Sequence, residues 1–488
     1  MFYKIARASN WCFKLIAPFY VKNDFKYKAT TPVWDFFLKK IVYQEVEECL
    51  FSSFTKKDEL SEFMFGIGWS SYILYHYEKF LDSESKKLLI SFIKGEPIQY
   101  NFNGLRPDQQ DDINELLKLR HGVFQVYTGY GKTQIIAHLI NYVVNVRKER
   151  LLLLAPSQKA LNEVDSRVSK LFGITHKYID YDADYNAINV NGFPRSSKFD
   201  KNNSYWDTVK WIIAEEGEYS KNDSGMEIIE LCKNATRSYA FSATADKEKG
   251  ERIRMRDGNI PVVQRNKDLI KYFGFALVYK KPENFVIYIK EVSTSIFEDG
   301  AKNFAEDSTY TEKIYSTFTD KRFCNGLLKI VQKEFPLYIP MERLEVIDHW
   351  IKNYFNIPGF VVINICGRGY ELYIDGEHQG NLTLDEVKEY VEDDKVNLIT
   401  GTSSSYRALD FPKLNKLLLL TSRLASIVIQ AIGRVSRRGE FTIINLKPLT
   451  KLGIYTNNYY NRKKLISNYY SDCKIITTNK MELDYGIN

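Results

Sequence analysis

The chain has 488 residues and a formal net charge of +7; 44% of its residues are hydrophobic and 26% are charged. These values are typical of a globular protein of roughly three domains, and the positive charge is compatible with a polyanionic partner. The apolar runs of the sequence exclude a membrane-spanning chain, since none approaches the roughly 20 residues of a membrane helix.

The six cysteines contain no CxxC pair, and the six histidines show no ligand spacing. We therefore expect neither a disulfide framework nor a zinc site. The N-terminus lacks the apolar segment and small-residue cleavage site of a signal peptide, so we expect a cytoplasmic location and no membrane partner.

Residues 1–100 are predicted to form a small α+β domain, with two helices in residues 58–95. Aromatic and basic residues are interleaved between residues 19 and 40. Two interpretations stay open: these side chains stack on the bases of a nucleic acid and follow its phosphates, or the aromatics form the core of the domain. The domain contains no chemical motif, so its role stays open.

A helix is predicted from Asp111 to Leu119, after the stretch Gly104-Leu105-Arg106-Pro107-Asp108-Gln109-Gln110. Proline followed by an acid is typical of a helix start. A glutamine amide can also present a donor and an acceptor together to an adenine edge. Gln109 lies about twenty residues before a glycine loop and is a better candidate for that role than Gln110.

The glycine loop is Thr128-Gly129-Tyr130-Gly131-Lys132-Thr133, and Val126 stands where the full pattern has glycine. An apolar strand pattern precedes it and a helical pattern, Gln134 to Val146, follows. This is the context of a phosphate-binding loop, in which backbone N–H groups and a helix N-terminus attract phosphate. We expect Thr128, Gly129 and Gly131 to shape the loop, Lys132 to contact the β- and γ-phosphates, and Thr133 to hold Mg²⁺.

Four later stretches are predicted as strands: the apolar run that begins at Leu151 and stops at Pro156, the short strand and turn from Ile188 to Phe193, the stretch that begins at Val209, and Tyr239 to Ala245. The third ends in Glu215-Glu216-Gly217-Glu218. A phosphate-loop enzyme needs one acid there to hold Mg²⁺ and a second to orient or deprotonate the attacking water. We assign the first role to Glu215, where aspartate is more usual, and the second to Glu216; the alternative is an exposed acidic turn.

From about residue 271, alternating strand and helix patterns predict a second parallel sheet. Near its end, Gln430, Arg434 and Arg437 are spaced by four and three residues and so share one helical face. Guanidinium groups directed at a γ-phosphate stabilise the charge of the transition state. The alternative is a basic surface helix. Residues 451–488 are predicted as a packed helical tail.

In this order the motifs resemble those of superfamily 2 helicases over roughly residues 100–450. The stretch from Gln430 to Val435 and the chain length resemble phage-encoded recombination and branch-migration helicases of the UvsW type. The resemblance implies an α/β fold with two RecA-like parallel-sheet domains in tandem, residues 101–270 and 271–450, besides the N-terminal domain and the tail.

The resemblance also implies the cofactors ATP and Mg²⁺ and a nucleic-acid partner; DNA is favoured over RNA, but the sequence leaves the choice between them open. It assigns nucleotide contacts to Arg106 and Gln109, catalysis to Lys132, Glu215, Glu216, Gln430, Arg434 and Arg437, and coupling of hydrolysis to movement to Ser242 and Thr244. It places Pro156, Ser157, Asn191, Gly192, Thr402 and Ser403 along the nucleic-acid strand.

The sequence therefore predicts an ATP-dependent helicase or translocase acting in DNA replication, recombination or repair, in the host cytoplasm if a phage encodes it. Replication or recombination proteins are further expected partners; polarity and oligomeric state stay open. One alternative is a double-strand translocase that does not unwind. The other is a hydrolysis-impaired clamp, against which the joint presence of the catalytic residues argues.

Overall fold

The computed structural model describes residues 3–18, 20–21, 23, 26–35, 40–49, 51–55, 60–95, 98, 100–175, 180–217, 223–243, 267–274, 276–294, 315–341, 343–366, 369–401, 413–420, 425–435, 439–448 and 453–482. By its internal contacts the chain divides into two units. The first comprises Met1–Val126 and Gly131–Tyr279, and the second comprises Tyr127–Tyr130 and Lys280–Asn488. Within the described ranges, no helix combines the length and the apolar character needed to cross a bilayer.

The described strands are β1 (Lys4–Arg7), β2 (Cys12–Pro18), β3 (Lys26–Asp35), β4 (Lys40–Cys49), β5 (Ser52–Thr55), β6 (Leu60–Gly66), β7 (His121–Val126), β8 (Arg150–Ala155), β9 (Tyr185–Asn189), β10 (Val209–Glu215), β11 (Arg237–Ser242), β12 (Ala276–Lys280), β13 (Val286–Thr294), β14 (Leu337–Pro340), β15 (Val361–Cys366), β16 (Gly369–Ile374), β17 (Glu377–Leu382), β18 (Leu398–Gly401), β19 (Lys416–Leu419), β20 (Glu440–Pro448) and β21 (Lys474–Glu482).

The described α-helices are α1 (Ser70–Tyr77), α2 (Ser83–Ile93), α3 (Pro107–Leu117), α4 (Lys132–Asn141), α5 (Gln158–Phe172), α6 (Tyr205–Thr208), α7 (Asp223–Leu231), α8 (Lys267–Phe273), α9 (Lys321–Glu334), α10 (Leu344–Asn353), α11 (Leu384–Glu392), α12 (Ala425–Val435) and α13 (Gly453–Tyr469). A π-helical turn, Tyr142–Arg147, follows α4.

The first unit is built on a sheet with the strand order β12-β7-β11-β10-β8-β9. The neighbours from β7 to β9 are all parallel. Every residue of β7 and of β11 is buried, as expected for parallel strands that are covered on both faces. Because the strands are parallel, their carboxyl ends lie at one edge of the sheet, where ligands of open α/β sheets bind. That edge positions the candidate site.

The N-terminal residues form a four-stranded antiparallel sheet, β1-β2-β6-β5, besides the ribbon β3-β4 and the helices α1 and α2. Trp11, Phe13 and Phe63 belong to the same core cluster as Val123 of β7 and Ala240 of β11. These aromatics outside residues 19–40 are therefore core residues, whereas Tyr20 within that stretch is 64% exposed; the other aromatic side chains of residues 19–40 lie outside the described ones, so both interpretations of that stretch stay open. Because this core is shared, residues 1–100 do not separate from the first parallel sheet as a unit of their own.

Nine of the described strands form the sheet of the second unit, in the order β17-β16-β15-β18-β14-β19-β20-β13-β21. In this order, each strand from β15 through β18, β14, β19, β20 and β13 to β21 is parallel to its neighbour, as predicted. β16 and β17 add an antiparallel hairpin that the sequence analysis missed. Its turn has positive φ at both Asp375 and Gly376, the conformation that favours Asp-Gly in a two-residue hairpin loop.

The predicted fold class is confirmed: two RecA-like α/β units with largely parallel sheets, and a small α+β region at the N-terminus. Two local predictions were wrong. Residues 60–66, predicted within a helix, form β6 because alternate residues are buried against the N-terminal core. The C-terminal tail is not only helical, since β21 follows α13 and pairs in parallel with β13.

Candidate functional site

The loop that follows β7 has the backbone of a phosphate-binding loop. Gly129 and Gly131 both have φ of 101°, a region that glycine adopts without the strain imposed by a Cβ. Gly131 is the N-cap of α4, and no side chain caps that helix. The N–H groups of its first turn, with the positive end of the helix dipole, are therefore suited to an anion.

Gln109 lies against this loop. It is buried near the start of α3, and its Oε1 accepts a hydrogen bond from the backbone N–H of Arg106 at 3.0 Å. A Cβ added at Gly131 would lie only 2.5 Å from the Gln109 Nε2. The guanidinium of Arg106 pairs with Asp108 at 3.2 Å on the surface. Nucleotide contact by Arg106 and adenine recognition by Gln109 stay predictions.

The two acids assigned from the sequence lie at the carboxyl end of β10. Glu215 is its last residue and is buried. Glu216 has φ of 46°, a conformation that costs a non-glycine residue on the order of 1–3 kcal/mol and is found mainly at functional sites. Its Oε1 lies 3.9 Å from the Lys132 Nζ, and the two side chains are only 15% and 10% exposed.

These residues suit a nucleotide phosphate and Mg²⁺. The second carboxylate oxygen of Glu216 and the hydroxyl of Thr128 are buried without a hydrogen-bond partner, although buried polar atoms normally have one. Thr133, in the first turn of α4, and Glu215 offer the oxygen ligands that Mg²⁺ prefers. No group of three or more His, Cys, Asp and Glu side chains in the described part of the chain could hold a metal.

Ser242 is the last residue of β11, and its Cα partner in the sheet is Gln125 of β7. Ser242 is fully buried; Thr244, its predicted companion in coupling, lies outside the described residues. Sequence reasoning missed Gln125, which is 5% exposed and whose Oε1 has no hydrogen-bond partner. The signal was a single amide between the apolar residues Phe124 and Val126, just before the glycine loop.

The residues predicted to line the nucleic acid in the first unit follow β8 and β9, which are adjacent and parallel. The side-chain amide of Asn191 donates to the carbonyl of Pro156 at 2.8 Å, so the two segments are joined. The hydroxyl of Ser157 caps α5 by accepting from the backbone N–H of Ala160 at 3.2 Å. Gly192 follows Asn191 directly. Contact of these residues with nucleic acid stays a prediction.

In the second unit, Gln430 and Arg434 lie one turn apart on α12, and both are buried. Their burial argues against a basic surface helix over this part of the chain. Burial raises the pKa of Tyr338 well above its ordinary value, and the charge of Arg434 acts in the opposite direction. Arg437, Thr402 and Ser403 lie outside the described residues.

A polar pair lies at the amino end of β7, away from the glycine loop. The Nδ1 of His121 lies 2.7 Å from the hydroxyl of Ser238 in β11. Burial, followed by the charges of Arg120 and Arg237, lowers the pKa of His121 to about 3. His121 is therefore neutral at physiological pH.

In a comparison with protein families, residues 103–245 match the family described as "Type III restriction enzyme, res subunit". The match includes the glycine loop, both acids and Ser242. The predicted resemblance to superfamily 2 helicases is confirmed over these residues of the first unit. A comparison with curated proteins finds no match.

Several solved structures are similar. The crystal structure of UvsW from phage T4 has 14% identity over 99% of this chain and 100% of its own, with a TM-score of 0.39. S. cerevisiae Dbp5 bound to RNA and ADP BeF3 has 14% identity over 77% and 89%, with a TM-score of 0.47. Mycobacterium smegmatis helicase Lhr bound to ssDNA and AMP-PNP has 10% identity over 75% and 48%, with a TM-score of 0.45.

Proposed function

We propose that this chain is an ATP-dependent helicase or translocase that acts on DNA in replication, recombination or repair. The observation that carries the proposal is the pairing of Lys132 with Glu216 at 3.9 Å. It brings together a phosphate-binding cation and a carboxylate suited to activate water, at the carboxyl edge of a parallel sheet. The helicase-family match over residues 103–245 supports it.

Each predicted residue then has a defined task. Lys132 binds phosphate oxygens, and Glu216 orients the attacking water and accepts its proton. Thr133 and Glu215 would hold Mg²⁺, which neutralises phosphate charge when it is bound. Arg434 and Arg437 stabilise the charge that develops on the leaving phosphate. Gln109 holds the glycine loop from one side, in keeping with a nucleotide-contacting role.

The nucleic-acid strand is proposed to follow Pro156, Ser157, Asn191 and Gly192 in the first unit and Thr402 and Ser403 in the second. Backbone amides and short polar side chains of this kind bind phosphates without reading sequence. Binding should therefore be largely independent of sequence and should weaken as salt increases. The net charge of +7 is in keeping with such a partner.

The test is ATP hydrolysis with single-stranded, double-stranded or branched DNA, or with RNA, for the wild type and Glu216→Gln. We expect stimulation by DNA that the variant loses, because the amide cannot accept the proton. Glu227→Gln is the matched control, since Glu227 forms an exposed ion pair with Lys201 in the same unit. Hydrolysis that persists in Glu216→Gln would contradict the assigned role.

Two results would favour the alternatives. Triplex displacement without strand displacement would indicate a translocase that does not unwind. Binding of ATP and DNA without hydrolysis on any substrate would indicate a clamp, and the glutamate at position 215 is the feature that favours it. In that case Glu215→Asp should restore turnover if the longer side chain misplaces the metal.

A further inference from the structure

Gln125 is a polar residue in β7, a fully buried strand. All six residues of β7 are buried, and Gln125 lies three positions before Thr128, where the glycine loop begins. Its side chain is 5% exposed, and its Oε1 has no hydrogen-bond partner. A buried carbonyl oxygen without a partner destabilises the folded state. A methionine of similar size would fill the same space without that cost.

The sheet register shows what lies beside this amide. Alternate residues of a strand share one face, so Gln125 lies on the same face as His121, and Ser242 on the same face as Ser238. His121 pairs with Ser238 and Gln125 with Ser242 in the register. The hydrogen bond between His121 and Ser238 shows that side chains on this face meet across the two strands.

We propose that Gln125 is a positioning residue that couples the strand of the glycine loop to Ser242. Its carbonyl oxygen is the acceptor for the Ser242 hydroxyl when a nucleotide occupies the loop, so a change at the loop passes to β11 and to the residues after it. The inference rests on the proposed function, because it requires nucleotide binding. It adds a residue that neither the motifs nor the resemblance assigns.

Gln125→Met should give one result if Gln125 couples β7 to β11, and another if the fold merely tolerates its buried amide. The variant removes the amide but keeps the length of the side chain. If the amide is only tolerated, stability increases and function is unchanged. If it couples the two strands, stability also increases, yet the response to nucleotide is lost. If it holds the fold, stability decreases.

The experiment compares full-length wild type, Gln125→Met and Ser61→Ala. Ser61 is fully buried in the N-terminal sheet, and its hydroxyl also lacks a hydrogen-bond partner, so it controls for removing such a group elsewhere. The urea midpoint, the ADP affinity and amide hydrogen exchange in β7 and β11 with and without ADP are measured, and DNA-stimulated turnover is measured in parallel.

For Gln125→Met we expect a higher urea midpoint and an ADP affinity within about twofold of the wild type. The slowing of exchange in β11 on ADP binding should disappear, and turnover should fall by about tenfold, the equivalent of one net hydrogen bond. Ser61→Ala should raise the midpoint and leave the other quantities unchanged. Ser242→Ala combined with Gln125→Met should lose no more turnover than the larger single loss, because the pair acts as a unit.

A wild-type exchange response in Gln125→Met overturns the inference, as does a lowered urea midpoint. Failure of the proposed function has a different signature. If the wild type binds ADP but hydrolyses ATP on no substrate, the proposed activity is wrong, and the exchange comparison still decides the role of Gln125. If the wild type binds no nucleotide at all, both proposals are wrong.

Discussion

Glu216→Gln tests the ion pair that Glu216 forms with Lys132 before a nucleotide binds. At 3.9 Å, two unit charges attract by about 4 kcal/mol at an effective dielectric constant of about 20. Loss of hydration and of side-chain freedom offsets most of this, which leaves about 1 kcal/mol for a pair that is neither exposed nor fully buried. A phosphate group that binds Lys132 must first overcome that pairing.

We therefore expect Glu216→Gln to bind ADP about fivefold more tightly than the wild type, the equivalent of about 1 kcal/mol. The same change should abolish hydrolysis. The substitution keeps the size of the side chain and the left-handed backbone at residue 216, so it isolates the charge. ADP without Mg²⁺ is the appropriate ligand, because neither turnover nor a metal then contributes to the measured affinity.

Fluorescence titration or calorimetry gives the affinities, with Glu227→Gln as the control. The side chains of the Glu227 pair are 40% and 56% exposed, and an exposed pair contributes little. Its ADP affinity should match that of the wild type. If Glu216→Gln is folded but binds ADP as the wild type does, or more weakly, the ion pair does not compete with the nucleotide and the reasoning is refuted.

Three further predictions follow. Lys132→Ala should abolish ADP binding in the same titration, and the phosphate-loop assignment is wrong if ATP hydrolysis survives. Gly131→Ala should destabilise the fold by about 1–3 kcal/mol in urea unfolding, because φ is 101° and the new Cβ would lie 2.5 Å from the Gln109 Nε2. Gln109→Ala should recover part of that loss; no recovery would show that backbone strain alone is responsible. The pKa of His121 is about 3 in the folded chain, against an ordinary value of 6.5. Its contribution to stability is therefore complete above pH 6.5 and falls, by up to about 1.4 kcal/mol per pH unit, as the pH decreases towards 3. Unfolding in urea at pH 7 and pH 5 should show a smaller pH dependence for His121→Gln than for the wild type, and equal dependence would contradict the depressed pKa.

The parallel strands could be predicted because local and tertiary preferences agree. The run Leu151 to Leu154 is entirely apolar, and the structure buries all of it in β8. The glycine loop was equally clear, since Gly129 and Gly131 occupy positions of positive φ. In both cases the residue type by itself specifies the environment or the backbone conformation.

Other features depend on partners that are distant in sequence. β6 looks helical in isolation, but pairing with β2 and β5 makes it a strand. β21 pairs with β13, nearly two hundred residues earlier along the chain. The conformation of Glu216 is set by its surroundings, because nothing in its residue type favours φ of 46°. Such features follow from tertiary contacts, which a pattern in one segment does not contain.

The polar residues of the first sheet fall into two groups. In one, the side chains are hydrogen-bonded within the protein; in the other, a buried oxygen has no hydrogen-bond partner. At the amino ends of β7 and β11, His121 is paired with Ser238, and Arg237 donates to the carbonyl of Leu117 and to the Tyr239 hydroxyl. That group is satisfied within the protein and stabilises the fold.

At the carboxyl ends, Gln125 and Glu216 each keep a buried oxygen without a hydrogen-bond partner, and the backbone of Glu216 is strained. Both features destabilise the folded chain. Substitutions at the carboxyl end should therefore reduce activity while preserving or increasing stability, whereas substitutions at the amino end should reduce stability first. A carboxyl-end variant such as Gln125→Met that lost stability in urea unfolding would contradict this division.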